Sequence, residues 1–176
     1  MNLLQSNKMR LHKTLVNKVR TLITLTTLCS SLLLMNCNSD NAKATPPEQL
    51  IFPKGEAGPA TNFTGNAYNF GLVPSDSTYN TLVGNVYFEA GARSNWHKHP
   101  GGQILIITDG EGYHQIEGQP RQTMKKGDVI KCPPNVRHWH GATENNSLSQ
   151  LYIIPNTEKG IVEWHEPVTD EQYRTN

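Results

Sequence analysis

The chain has 176 residues, of which 36% are hydrophobic and 18% charged, and its formal net charge is +1. That length suits one core-forming domain with an appendage and excludes two large domains. The charge is uneven: residues 1–37 hold five basic side chains (Lys8, Arg10, Lys13, Lys18, Arg20) and no acidic one, which leaves 11 basic and 15 acidic residues beyond them. A mildly acidic body gives no electrostatic reason to bind nucleic acid.

The basic end runs into the uncharged stretch 21–34, TLITLTTLCSSLLL. A basic segment before about 7–15 apolar residues predicts a signal peptide and export. The stretch is shorter and richer in Thr and Ser than the roughly 20 apolar residues of a spanning helix. The following Leu34-Met35-Asn36-Cys37 resembles a bacterial lipobox, with Asn36 where that pattern has Gly, Ala or Ser. The resemblance implies that Cys37 becomes a lipidated first residue, and that the body meets a periplasmic or other envelope membrane only through this anchor. Cys29 would leave with the leader, so Cys132 remains alone and the body has no intrachain disulfide. Residues 38–60, rich in Asn, Ala, Pro and Gly, read as a tether and extended lead-in.

From residue 61 to 165 short β-type runs alternate with turn residues. Strands are predicted in 81–90, 103–110, 111–118, 127–134 and 148–155, with turns at Asp109-Gly110, Gly118-Gln119-Pro120, Lys126-Gly127-Asp128 and Pro133-Pro134-Asn135. This predicts an all-β sandwich or barrel. Leu105, Ile107, Val129, Leu151 and Ile153 alternate as its core, Cys132 joins them as a small buried hydrophobe, and Arg93 and Lys98 are solvated. Trp96 and Trp139 point outward, against another element or a partner subunit, and Tyr113 or His114 is a candidate for the cavity mouth. The tail, 166–176, is predicted to hold a short helix near 169–174 capped by Thr169 or Asp170.

Four of the seven histidines fall in two pairs, His97-x-His99 and His138-x-His140. On a strand, residues i and i+2 share a face, so each pair aims two imidazoles to one side. In a narrow barrel that side can be the interior, where imidazoles need a metal, water or substrate as partner. Imidazole suits Zn, Fe, Mn, Ni and Cu.

The segment Gly91-x5-His97-x-His99-x3-Gln103-x6-Gly110 resembles the first cupin motif, and Gly127-x5-Pro133-x-Asn135-x2-His138 the second. The resemblance implies a single double-stranded β-helix (jelly-roll) barrel holding one divalent metal on His97, His99, Gln103 and His138. This sequence has Asn135 where the second motif has Gly, and Gln103 where most cupins have Glu. A neutral Gln leaves the ion its full +2 charge, which favours Lewis-acid over redox chemistry. His140 shares the face of His138 and is the candidate base.

Further strings, PheThrGly at 63–65, GlyAlaArg at 91–93, HisTrpHisGlyAla at 138–142 and ThrAspGluGlnTyrArg at 169–174, resemble bacterial cupin hydroxynitrile lyases. That resemblance implies a manganese or iron centre, with Zn, Ni or Co as possible substitutes, on which a cyanohydrin is cleaved with His140 as base. It also implies a homodimer and a small-molecule substrate. Those enzymes carry a further active-site His where this chain has Gln150, which can hydrogen-bond to substrate but not take its proton. A metal-dependent dioxygenase and a non-catalytic ligand-binding cupin remain as alternatives.

Overall fold

Runs of Val, Ile, Leu, Tyr and Phe broken by Gly, Asn and Pro favour short strands over helices. The computed structural model describes residues 49–175, and in it such runs form twelve strands. In chain order they are β1 (Glu56–Ala57), β2 (Phe63–Thr64), β3 (Ala67–Val73), β4 (Thr81–Phe88), β5 (Arg93–Ser94), β6 (His97–Lys98), β7 (Gln103–Ile116), β8 (Gln122–Lys125), β9 (Val129–Cys132), β10 (His138–Ala142), β11 (Leu148–Pro155) and β12 (Glu163–Trp164). A 3-10 turn covers Thr157–Lys159, and helix α1 covers Asp170–Arg174. The predicted leader, the lipobox with Cys37 and most of the tether lie outside the described residues. Among the described residues no helix is long and apolar enough to cross a membrane.

Every pairing is antiparallel. One layer runs β1-β3-β4-β11-β7-β9 and the other β8-β7-β10-β5-β2, with β6 beside β10 and β12 beside β6. The fourteen-residue β7 belongs to both layers. The sequence predicts a turn at Asp109-Gly110, and the structure replaces it with a bulge inside one continuous strand. Asp109 pairs with Ser149 and Ile107 with Gln150, so Thr108 is the extra residue. Gly110 makes the bend possible: its φ is +75°, and a Cβ there would lie 1.9 Å from the Ser147 carbonyl oxygen.

The bulge sets which residues face inward. Leu105 and Ile107 are in the core as predicted, with Phe88, Met124 and Leu148. Val129, Leu151 and Ile153 correct the predicted core list. Val129 is 57% exposed, and the inward positions of β11 are Leu148, Gln150, Tyr152 and Ile154. Leu151 and Ile153 instead share the outer face with their cross-strand partners Ile106 and Ile104.

Trp96 and Trp139 pack against the tail, in a cluster with Val168 and Tyr173 of this same chain. Helix α1 begins where predicted: the Thr169 hydroxyl accepts from the Gln172 N–H, and the Gln172 side chain accepts from the Thr169 N–H. Arg93 is buried rather than solvated. Its guanidinium donates to the Val168 carbonyl and to Asp170 at 2.7 Å and lies 4.5 Å from the Tyr173 ring, which ties α1 to the barrel. Lys98 pairs with Glu163 at 3.0 Å.

Candidate metal centre

The two His-x-His pairs meet because β6 and β10 are neighbours, with His138 opposite His97. β7 brings Gln103 to the same spot from the other side. Asn135 shapes the turn before β10 with φ +61°, the left-handed conformation for which the motif usually has Gly. His97, His99, Gln103, His138 and His140 are all buried. The ligand atoms of His97, His138 and His140 lie within 4.8 Å of one another. Ring centroids are 4.4 Å apart for His97 and His138 and 5.2 Å for His97 and His99.

Hydrogen bonds sort the four imidazoles. Nδ1 of His97 faces the Asn95 carbonyl at 2.9 Å, Nδ1 of His99 the Ile161 carbonyl at 2.5 Å and Nδ1 of His138 the Val136 carbonyl at 3.0 Å. Each of these three carries its proton on Nδ1 and turns a bare Nε2 to the centre, the arrangement by which proteins orient metal-binding histidines. His140 is different. Its Nδ1 meets the Gln150 side-chain amide at 2.8 Å instead of a backbone carbonyl, so the orientation of that amide sets which ring nitrogen carries the proton.

Two features make this donor set fit a cation. Nε2 of His99 is buried without a partner. Nε2 of His138 stands 3.0 Å from the Gln103 amide oxygen, although its one proton already points at Val136. Double protonation does not resolve that contact, because burial pushes His138 down to about 3. Two lone pairs aimed at each other are explained by a divalent ion that both would hold. Burial likewise keeps His97 and His140 neutral, well below the usual imidazole range, and lowers His99. Neutral imidazole is the form that binds metal.

The centre opens into a cavity of about 260 Å³ between the two layers. His97, His99, Gln103 and His140 line it, with Phe63 and Trp164 among its apolar residues. Gln150, predicted to touch substrate, is fully buried behind His140 and does not line the cavity. Neither Tyr113 nor His114 reaches the cavity. Tyr113 lies under Arg121 and bonds Glu144, and His114 points into the barrel.

The sequence reading missed the neighbour of Cys132. The thiol is buried as predicted, with burial raising it to about 12, but its sulfur lies 3.3 Å from Nε2 of His114. Burial lowers His114 to about 4. An unfolded chain protonates this imidazole near pH 6.5 and the folded one does not, so stability falls as pH drops from about 6.5 towards 4. The span is worth up to about 3 kcal/mol. In urea melts of metal-free protein at pH 7 and pH 4, His114→Gln is expected to show the smaller pH loss. An unchanged loss would mean that His114 is not the buried neutral group.

Comparison with known proteins agrees with this architecture. Residues 84–154 match the family model described as the Cupin domain. The chain is 41% identical over 117 residues to an (R)-mandelonitrile lyase of Granulicella tundricola, a match spanning 66% of this chain and 89% of that one. A solved cupin-like protein from Thermotoga maritima superimposes with a TM-score of 0.68 at 48% identity, covering 70% of this chain and 94% of that one. A DMSP lyase from Ruegeria pomeroyi, at 20% identity and TM-score 0.51 over 62% of this chain and 54% of that one, shares the fold alone. The motifs, the barrel and the 41% relative together place this chain in the cupin family, close to the hydroxynitrile lyase-like proteins.

Proposed function

We propose that the protein is a metal-dependent lyase that cleaves a cyanohydrin to an aldehyde and hydrogen cyanide. The observation that carries this reading is the hydrogen bonding of His140. Its Nδ1 is taken by Gln150, so it stands apart from the three histidines whose Nε2 atoms are bare, and it lines the cavity beside them. That is the place of a proton-transfer group next to a metal. The 41% identical mandelonitrile lyase supports the same chemistry.

His97, His99, Gln103 and His138 would hold the metal, with manganese or iron the ions we infer. When bound, it supplies a Lewis acid that polarises the substrate oxygen, strengthened by four neutral ligands. His140 accepts the hydroxyl proton of the cyanohydrin at Nε2. The C–CN bond breaks, its electron pair leaves with cyanide, the C–O bond becomes the aldehyde carbonyl, and His140 returns the proton to cyanide. Accepting at Nε2 requires the imidazole tautomer that carries its proton on Nδ1. Gln150 can serve both tautomers by turning its amide: the N–H donates to bare Nδ1, and the unpartnered Oε1 accepts from Nδ1–H.

The direct test is cyanide release from mandelonitrile by the full chain loaded with Mn²⁺. Release that requires the metal is expected. No release from metal-loaded protein would overturn the lyase reading and favour the dioxygenase, read as oxygen uptake with Fe²⁺, or a binding protein without turnover.

We further infer a homodimer held to a membrane by a lipid on Cys37. The outer face of the β4-β11-β7-β9 layer supports the dimer. There Val83, Ile104, Ile106, Leu151 and Ile153 are only partly covered, and Val129 is 57% exposed beside them. Sedimentation of the full chain in detergent at the monomer mass alone would sink the dimer.

A further inference from the structure

The cavity has a second polar locus that the proposed lyase chemistry does not use. Tyr152 on β11 pairs in register with Gly84 on β4 and points inward. Its ring lies flat over that glycine: a Cβ at Gly84 would stand 2.3 Å from the Tyr152 hydroxyl oxygen and 2.5 Å from the ring carbon bearing it. Any other residue at 84 would displace the ring. The hydroxyl thus crosses β4 towards β3, where Asn69, on the exposed side of the strand, pairs with Val86. Asn69 and Tyr152 both line the cavity.

Their surroundings are apolar. Leu82, Val86, Ile154 and Ile161 line the same cavity, and no Lys, Arg, Asp or Glu does. Burial raises the Tyr152 hydroxyl above its ordinary range, so it is protonated and available as a donor. A pocket that is mostly apolar with few placed polar groups takes its specificity from those groups.

We propose that Tyr152 and Asn69 form a specificity subsite that selects uncharged substrates carrying a hydroxyl on an otherwise apolar, ring-sized body, as in a hydroxylated aromatic aldehyde or its cyanohydrin. This rests on the lyase reading for the identity of the reacting group, and on the cavity wall alone for the hydroxyl. A hydroxyl can accept from Tyr152 and donate to the Asn69 amide oxygen, whereas this wall offers a carboxylate no cation to pair with. The tyrosine is a specificity residue with no part in proton transfer.

The test measures binding, which needs no turnover. The full chain, with and without Mn²⁺, is titrated calorimetrically with benzyl alcohol, 3-hydroxybenzyl alcohol, 4-hydroxybenzyl alcohol and 4-carboxybenzyl alcohol. At least one phenol is expected to bind about five- to tenfold tighter than benzyl alcohol, the range of one net hydrogen bond. The carboxylate is expected to bind more weakly than either. Tyr152→Phe keeps the ring and removes the hydroxyl, so it should erase the preference and leave benzyl alcohol within about twofold. Gly84→Ala, which moves the ring, should erase it too. Equal binding of all the alcohols to the wild type overturns the proposal, as does a preference that survives in Tyr152→Phe. A phenol preference in protein that releases no cyanide from mandelonitrile would refute the lyase reading and leave the subsite standing.

Discussion

His140→Ala, loaded with Mn²⁺, is expected to lose about 10²- to 10⁴-fold in kcat on mandelonitrile, the usual contribution of a positioned acid or base, while keeping one metal ion per chain. The two readouts must separate, and the reason lies in the hydrogen bonds. His97, His99 and His138 each spend the Nδ1 proton on a backbone carbonyl, whereas Nδ1 of His140 is held by the Gln150 amide. Proximity alone gives a different answer, because His140 groups with His97 and His138 within 4.8 Å. If His140→Ala loses metal along with activity, then His140 is a ligand and the proton-transfer role fails. His140→Gln is a useful companion, since it fills the buried space without a titratable ring. Gln150→Leu removes the amide that serves both tautomers and should lower kcat with metal content unchanged.

The candidate metal centre was more legible in the sequence than the core around it. A His-x-His pair can hide little: on a strand both rings share a face, and four buried imidazoles need partners, so the chemistry announces itself. The core list erred for a physical reason. Period-two alternation shows that a strand has two faces and does not say which is inside. Leu151 and Ile153 alternate as regularly as Tyr152 and Ile154, and the choice is settled by the bulge at Thr108 and by an outer face that is itself apolar. Arg93 was misplaced because its partners, Val168 and Asp170, are 75 and 77 residues away. Gln150 was read as a substrate contact from the resemblance. Its position on the inward face of β11 agrees with that, but His140 stands between it and the open cavity. The His114–Cys132 contact joins one end of β7 to β9, which pairs with the other end of β7 at Gln103, and no local spacing signals it.

The largest effect on metal is expected from His138→Ala. This residue is fully buried, and its Nε2 faces the Gln103 amide oxygen across the place where an ion would sit. Removing the imidazole deletes one ligand and frees Gln103 to turn away, so stoichiometric Mn²⁺ or Fe²⁺ should fall below about one tenth of an ion per chain after gel filtration. Absolute melting temperature is a poor readout, because deleting a buried side chain destabilises the fold with or without metal. The informative quantity is the shift on adding metal. A ligand at a hundred times its Kd stabilises the native state by about 2.7 kcal/mol, which is several degrees for a domain of this size. The wild type should show that shift and His138→Ala should show none. His99→Ala should behave likewise, since the unpartnered Nε2 of His99 gains a partner only when an ion is present. A full shift in both variants would place the metal, if any, outside this cluster. A shift in His99→Ala alone would leave His97, His138 and His140 as the ligands and require another group for the proton.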